Sequence, residues 1–478
     1  MKKIFIVRPL AGLAAALAVA GCADMGGIAP EAKLREPAVA ATSAQVAPLA
    51  PDWWREFGDA QLNALVEEAL RGNPNLGVAQ ARLRRAQAVI ESAHAAGLPQ
   101  VNGALEITRQ RYTEHGLIPP PLAGTIEDNG LLRLTGSWEI DFFGKNKAAL
   151  ESALGGARAA QADAETARIV LASNVARTYF QLVRQQEQLA VARRTLAQRE
   201  EQLRLVQQRV GAGLDTNLEL RQSEGALPEA RQQSEAVQEQ AQVARNALAA
   251  LVGRADVPGA GSLPELATLA AAANAPVPPL PADLLGRRPD VAAARWRVEA
   301  ASQDITVAKA QFYPNVNLVA FAGLSSLGLG PLLDAGSREW GIGPAIHLPI
   351  FEGGRLRANL RGKTADLDAA VESYNAAVLE AIRDTSDQIV ALQSIARQQK
   401  EQSDAATAAE SAYQIALQGY QAGLGNYLNV LAAESTVLNQ RRQGVNLAAR
   451  ALDARVGLYR ALGGGYAPAA AEAGVTAQ

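Results

Sequence analysis

From Lys145 to Val210 the chain holds no proline, and its only glycines, Gly155 and Gly156, lie near the start. Val175, Leu182, Leu189, Leu196, Leu203 and Val210 recur at every seventh position, the spacing that keeps one seam turned toward a partner in a left-handed supercoil. The stretch reads as one helix on the order of 100 Å long, at about 1.5 Å per residue. No compact globular core needs such a rod, so the chain must build something elongated.

The rod has a twin. Arg355 to Tyr420 is again free of proline, with Ile382, Ile389, Ala396 and Ser403 at sevenfold spacing before Glu410 interrupts the seam and Leu417 resumes it. The small residues let neighbouring helices approach closely, whereas Glu410 needs water or a polar partner. Gly144 and Gly354 are 210 positions apart, as are Gly213 and Gly423. The chain is therefore one half repeated.

Ahead of each rod the order is also shared. Helices are expected over Gln61 to Arg71 and Asn75 to Ala96, the second opened by an Asn73-Pro74 start signal, and Leu284 to Lys309 matches the latter. Pro74 and Pro289, like Pro99 and Pro314, are separated by 215 positions. The offset drops by five across the segment that follows, where a surface loop absorbs a deletion. In that segment the period changes to two. Val101, Gly103, Leu105 and Ile107 alternate with Asn102, Ala104, Glu106 and Thr108; Leu132, Leu134, Gly136, Trp138, Ile140 and Phe142 alternate with Arg133, Thr135, Ser137, Glu139 and Asp141. Val316 to Leu324 and Trp340 to Ile350 form the second pair, weakened by Pro344 and Pro349, which cannot donate to a ladder. Strands of this length cross an outer membrane when tilted, with the apolar face to lipid; an exposed face of a soluble sheet alternates in the same way. His347 falls on the polar side of its strand and reads as lumen-facing.

Each rod ends in a matching turn, Ala212-Gly213-Leu214 and Ala422-Gly423-Leu424, followed at equal distance by Leu218 and Leu428. Glycine suits the left-handed backbone of a helix C-terminus, so each rod folds back as a helical hairpin. Pro228 must kink the first return helix or interrupt one hydrogen bond. Residues 254–283, rich in proline and alanine, read as a crossover with a small side element.

One chain thus offers four strands, too few to close a barrel, and lipid does not tolerate open sheet edges. Copies must share it; three would supply twelve strands and twelve helices. Net charge is −2 with no basic cluster, which removes the footprint of a nucleic-acid partner. A single cysteine and three scattered histidines leave no disulfide and no metal motif. Gly328-Leu329-Gly330 lacks the lysine, serine and strand-helix context of a phosphate loop. No nucleophile, base and orienting group assemble, so neither an enzyme nor a cofactor is expected.

That one cysteine sits in a telling place. Lys2, Lys3 and Arg8 precede an apolar run from Pro9 to Val19 that is too short to span a membrane, and Val19-Ala20-Gly21-Cys22 resembles a bacterial lipoprotein cleavage site with Cys22 lipidated. An ordinary secretory peptide is the alternative. Ala23 in place of aspartate favours the outer membrane.

Trp53-Trp54 with Phe57, Asn73-Pro74-Asn75-Leu76, Arg287-Arg288-Pro289-Asp290 leading to Phe312-Tyr313-Pro314, Phe351-Glu352-Gly353-Gly354-Arg355 and the paired Ala-Gly-Leu turns resemble the TolC/OprM-like outer-membrane factors of tripartite efflux pumps. More narrowly they are similar to the NodT-type lipoproteins that serve resistance-nodulation-division pumps. The resemblance implies a mainly α fold in which long helical hairpins form a trimeric α-barrel beneath a shared 12-stranded transmembrane β-barrel. It implies a homotrimer in the outer-membrane lipid, extending into the periplasm, and partnership with a periplasmic adaptor and an inner-membrane pump. Gly213, Leu214, Gly423 and Leu424 would be the adaptor contacts. Glu219 and Tyr420 would form a hydrogen-bonded link closing the periplasmic mouth. Asn429 and Ala432 stand where some relatives place aspartates, so a charged ring there is not expected.

The resulting division is a signal peptide over 1–21, a tether over 22–60, a first repeat over 61–253 with hairpins at 101–143 and 145–251, the crossover 254–283, a second repeat over 284–462 with hairpins at 316–350 and 355–462, and a tail over 463–478. The function expected is a passive exit duct for small molecules. A duct for secreted proteins and a lipid-anchored periplasmic coiled-coil scaffold are the alternatives.

Overall fold

The computed structural model describes residues 25–35, 49–256, 263–273 and 284–467. The expected signal peptide, Cys22, most of the crossover and most of the tail lie outside them. After a short 3₁₀ turn at Trp53–Phe57 come α1 (Ala60–Gly72), α2 (Pro74–Ala96), β1 (Gln100–Arg111) and β2 (Ile126–Ile140). The rods follow in order: α3 (Lys145–Gly211), α4 (Asn217–Val252), α5 (Leu266–Ala273), α6 (Leu284–Arg287), α7 (Pro289–Ala310), β3 (Asn315–Leu327), β4 (Arg338–His347), α8 (Arg355–Gln421) and α9 (Tyr427–Ala461). Both rods are single helices, and α4 runs through Pro228 without a break.

Two compact units divide the described residues, one from 25–35, Leu83–Ala160 and Ala294–Asn375, the other from the remainder. The first contains an antiparallel meander in the order β1-β2-β3-β4. Its central pair, β2 with β3, joins the two repeats. The register aligns Leu105, Leu132 and Leu324, and further along Trp138, Leu318 and Pro344. All of these lie on one face, together with Ile107, Leu134, Trp340 and Ile342. Its large side chains lie open among the described residues: Trp340 is 79% exposed and Leu105 63%. From Leu132 to Ile140 it extends about 27 Å along the strand, roughly 20 Å in height at a tilt of about 40°, close to the apolar band of an outer-membrane barrel. No helix among the described residues is long and apolar enough to cross a membrane.

The opposite face is polar, and its residues meet across the repeats. Arg133 donates from Nε to Glu339 Oε1 at 2.7 Å and lies 4.9 Å from the Phe321 ring centroid. Pro344 remains inside β4, where an edge strand tolerates it. The second pair was expected to run to Ile350; the strand ends at His347 because Pro349 follows.

In the same unit, residues 25–35 lie along α8. Glu31 and Ala32 donate their backbone N–H groups to Asp368 Oδ1 at 3.0 and 2.9 Å. Asn375 accepts from the Arg35 N–H and donates to the Lys33 carbonyl. A close approach of helices explains Gly155, since a Cβ there would come within 3.1 Å of the Ala300 Cβ.

The second unit is helical. Its core gathers Trp53, Trp54, Phe57, Phe180, Leu182, Leu248 and Tyr459. Asp59 caps α1 through the Gln61 and Leu62 N–H groups and accepts the Tyr179 hydroxyl on its other oxygen. The expected tether over 22–60 therefore needs correction: Trp53, Trp54, Phe57 and Asp59 are buried in the core, and residues 25–35 are bound along α8.

The heptad seams also need refinement. Val175, Leu182 and Leu189 are buried, but beyond them the buried line passes to Thr195, Gln202 and Val206, while Leu196, Leu203 and Val210 are half-buried. A helix of 3.6 residues per turn drifts by about 20° per heptad, which moves the seam. In α8 Ile382 and Ile389 of the expected line are half-buried, but Ala396 and Ser403 are exposed, and between 378 and 395 the buried line runs through Val378, Ala381, Thr385, Leu392 and Ile395. Glu410 finds the polar partner it needs, accepting both 3.0 and 2.8 Å contacts from Arg441 Nη2.

Candidate functional site at the helical tips

Where α3 turns into α4, Gly213 has φ +72°, and where α8 turns into α9, Gly423 has the same value. The backbone bonds coincide as well. Leu214 N–H reaches the Arg209 carbonyl at 2.9 Å, and Leu424 N–H the Gly419 carbonyl at 2.8 Å. These are the helix-terminating bonds that a left-handed residue permits. Leu214 and Leu424 project into solvent, the latter 87% exposed, and Leu218 and Leu428 follow them onto the exposed surface.

Each return helix is capped in its own way. Thr216 Oγ1 accepts the Leu218 N–H at 3.1 Å, and the Glu219 carboxylate accepts the Thr216 N–H at 2.9 Å. The hydrogen bond from the Thr216 hydroxyl, followed by those from the backbone, holds Glu219 below the usual carboxylate range. Across from it, Asn426 Oδ1 accepts the Asn429 N–H at 3.0 Å, and the Asn429 side chain is exposed.

The expected link between Glu219 and Tyr420 is not made within the chain. Tyr420, 1% exposed, donates its hydroxyl to Asp215 instead. Arg209 holds the same carboxylate through Nε to Oδ2 at 3.0 Å and Nη2 to Oδ1 at 3.3 Å, and its guanidinium carbon lies 4.5 Å from the centre of the Tyr420 ring. Tyr427 packs on Tyr420 with centroids 5.5 Å apart. Glu219 is committed to its cap, and Asp215, four residues earlier in the turn, is the acceptor within reach.

Electrostatics follow from this geometry. Burial pushes the Asp215 carboxyl up, but the hydrogen bonds from Arg209 and Tyr420 outweigh it and leave it below the usual range. Burial, then the neighbouring Asp215, pushes the Tyr420 hydroxyl well above its ordinary value. The triad is thus an ionised carboxylate between a guanidinium and a neutral phenol. Such a charge-assisted arrangement is the strong kind of hydrogen bond, and it ties the second helical hairpin to the turn of the first.

Comparison with known proteins agrees with this architecture. The family model described as outer membrane efflux protein matches residues 65–254 and 280–464. The chain is 41% identical over 371 residues to the fusaric acid resistance protein FusA of Burkholderia cepacia, covering 74% of this chain and 69% of that one. It is 34% identical to the pyoverdine export outer membrane protein OpmQ of Pseudomonas aeruginosa, covering 87% of both. The outer membrane protein VceC of Vibrio cholerae superimposes with a TM-score of 0.79 at 35% identity, over 87% of this chain and 99% of that one. The two matched segments coincide with the two repeats, and the chain belongs to the outer membrane efflux protein family.

Proposed function

We propose that the chain is one third of a homotrimeric exit duct in a tripartite efflux system, anchored to the outer membrane by lipid on Cys22. The observation that carries this reading is the exposed apolar face of a sheet whose edge strands, β1 and β4, have no partner among the described residues. In lipid those edges require neighbouring copies, and three copies give the expected twelve strands. The exposed tip residues Leu214 and Leu424, on turns formed by Gly213 and Gly423, are the surface offered to a periplasmic adaptor, with Leu218 and Leu428 enlarging it. An inner-membrane pump of the resistance-nodulation-division type supplies the energy and the small-molecule cargo.

At rest the Tyr420–Asp215–Arg209 triad holds the mouth closed, with Glu219 completing the α4 cap and Asn429 giving only its backbone N–H to the Asn426 cap of α9. The test is the mass of the detergent-extracted protein, with and without Cys22→Ser. A lipidated trimer is expected, and a trimer that still needs detergent after the substitution. A monomer released without detergent would overturn the reading.

A further inference from the structure

Above the tip triad, α3, α4, α8 and α9 enclose an acid that the closure does not use. Glu434 of α9 is 2% exposed, and among the described residues neither carboxylate oxygen accepts a hydrogen bond of good geometry, the Gln202 amide and the Arg199 guanidinium being the donors beside it. The groups around it are Arg199 and Gln202 from α3, Glu229 from α4, Tyr413 and Glu410 from α8, and Arg441 and Tyr427 from α9.

Two guanidinium groups face three carboxylates here, and each already has a partner. Arg199 Nη1 is bonded to Glu229 at 3.0 Å and to the Ala226 carbonyl at 2.8 Å, leaving its Nε 3.7 Å from Glu434. Arg441 is held by both oxygens of Glu410. Glu434 is left with the Arg199 Nε, a buried donor without a hydrogen bond among the described residues, at a distance too long for one. Beside it, Gln202 donates its Nε2 to the Tyr413 hydroxyl at 3.0 Å, while its Oε1 is buried without a donor. A proton on Glu434 would remove the surplus charge and supply the donor that Gln202 lacks.

We propose that Glu434 is an acid-sensing latch of the helical duct: protonated, it lets the four helices pack, and ionised, it loosens them toward the open state. The proposal rests on the reading of the tips as a closed mouth and names how that closure is regulated. Burial raises the Glu434 carboxyl above its ordinary 4.5, and the attraction of Arg199, followed by the Gln202 amide, offsets this only in part. In the open state the carboxyl meets water and titrates near its ordinary value. The packed state therefore loses ground as pH rises from about 4.5 to the raised value and is constant beyond it, by about tenfold in the packed-to-open ratio per pH unit crossed.

The experiment is residual conductance of the purified wild-type protein in planar bilayers between about pH 4.5 and about pH 8, beside Glu434→Gln and Tyr420→Phe. Wild-type leak is expected to rise about three- to tenfold across the range, and Glu434→Gln to stay low and flat. A Glu434→Gln protein that keeps the wild-type pH profile, or a wild type that shows none, overturns the latch. Tyr420→Phe separates the two readings. If it is silent while Glu434→Gln abolishes the pH dependence, the mouth is closed by contacts other than the Tyr420 triad and the latch stands. Melting of the extracted proteins gives a second readout: Glu434→Gln should match wild type in acid and exceed it at neutral pH, and a variant less stable than wild type at both would count against the latch.

Discussion

The two helical tips share a backbone and differ in their chemistry. Gly213 and Gly423 have the same φ, and the terminating bonds differ by about 0.1 Å. Yet at equivalent positions, 210 residues apart, Arg209 faces Gly419, Val210 faces Tyr420, Asp215 faces Gly425 and Glu219 faces Asn429. The first tip keeps the charges, and the second keeps the phenol. Duplication supplied two identical turns; divergence made one of them the acceptor and the other the donor. A charge-assisted link then joins the two repeats.

The largest effect should come from splitting that pair. Tyr420→Phe or Asp215→Asn removes a hydrogen bond to a charged group, worth about 1.5–3 kcal/mol, so leak conductance in planar bilayers should rise about tenfold or more. Because the Asp215 carboxyl lies below its ordinary 3.8, its contribution is present above that value and is lost as pH falls through the lowered one. The bond should therefore hold at neutral and mildly acid pH and fail only in strong acid, a response opposite in direction to that of Glu434. Conductance of Glu434→Gln, titrated downward, would isolate it.

Gly213→Ala and Gly423→Ala sharpen the shared half of the comparison. Neither Cβ would meet a neighbour within 4 Å, so each change should cost only the left-handed penalty of about 1–2 kcal/mol, read as faster amide exchange in its own turn. Equal values are expected. Smaller again, Thr216→Ala and Asn426→Ala each remove a helix cap worth about 1 kcal/mol, seen as faster exchange in the first turn of α4 or α9. Smallest of all, Glu219→Gln should leave leak conductance at the wild-type level, since its carboxylate serves the cap and not the closure. A leak equal to that of Tyr420→Phe would reverse these assignments.

Much of the architecture was legible because it rests on periodicity. The proline-free runs, the alternation through Leu132, Leu134 and Trp138, and the glycine turns each follow from backbone physics acting over a few residues. What escaped depends on where side chains end. Asp215 and Glu219 are four residues apart, both within reach of a second hairpin on paper, and only the Thr216 capping arrangement decides between them. Nothing in the sequence around Glu434 sets it apart, because its burial needs four helices to close around it. The line through Ala396 and Ser403 misled because sevenfold spacing persists in a sequence while a straight helix drifts away from it. Arg133 and Glu339, 206 residues apart, meet through a strand register that neither strand specifies alone.

The most direct test of the closure is a double-mutant cycle of Tyr420→Phe and Asp215→Asn, read as leak conductance of the trimer. If the two side chains act as one bond, each single change raises the leak and the double change raises it no further. Leaks that multiply, each substitution adding its full effect to the other, would show that Tyr420 and Asp215 act apart and that the mouth is closed by something else.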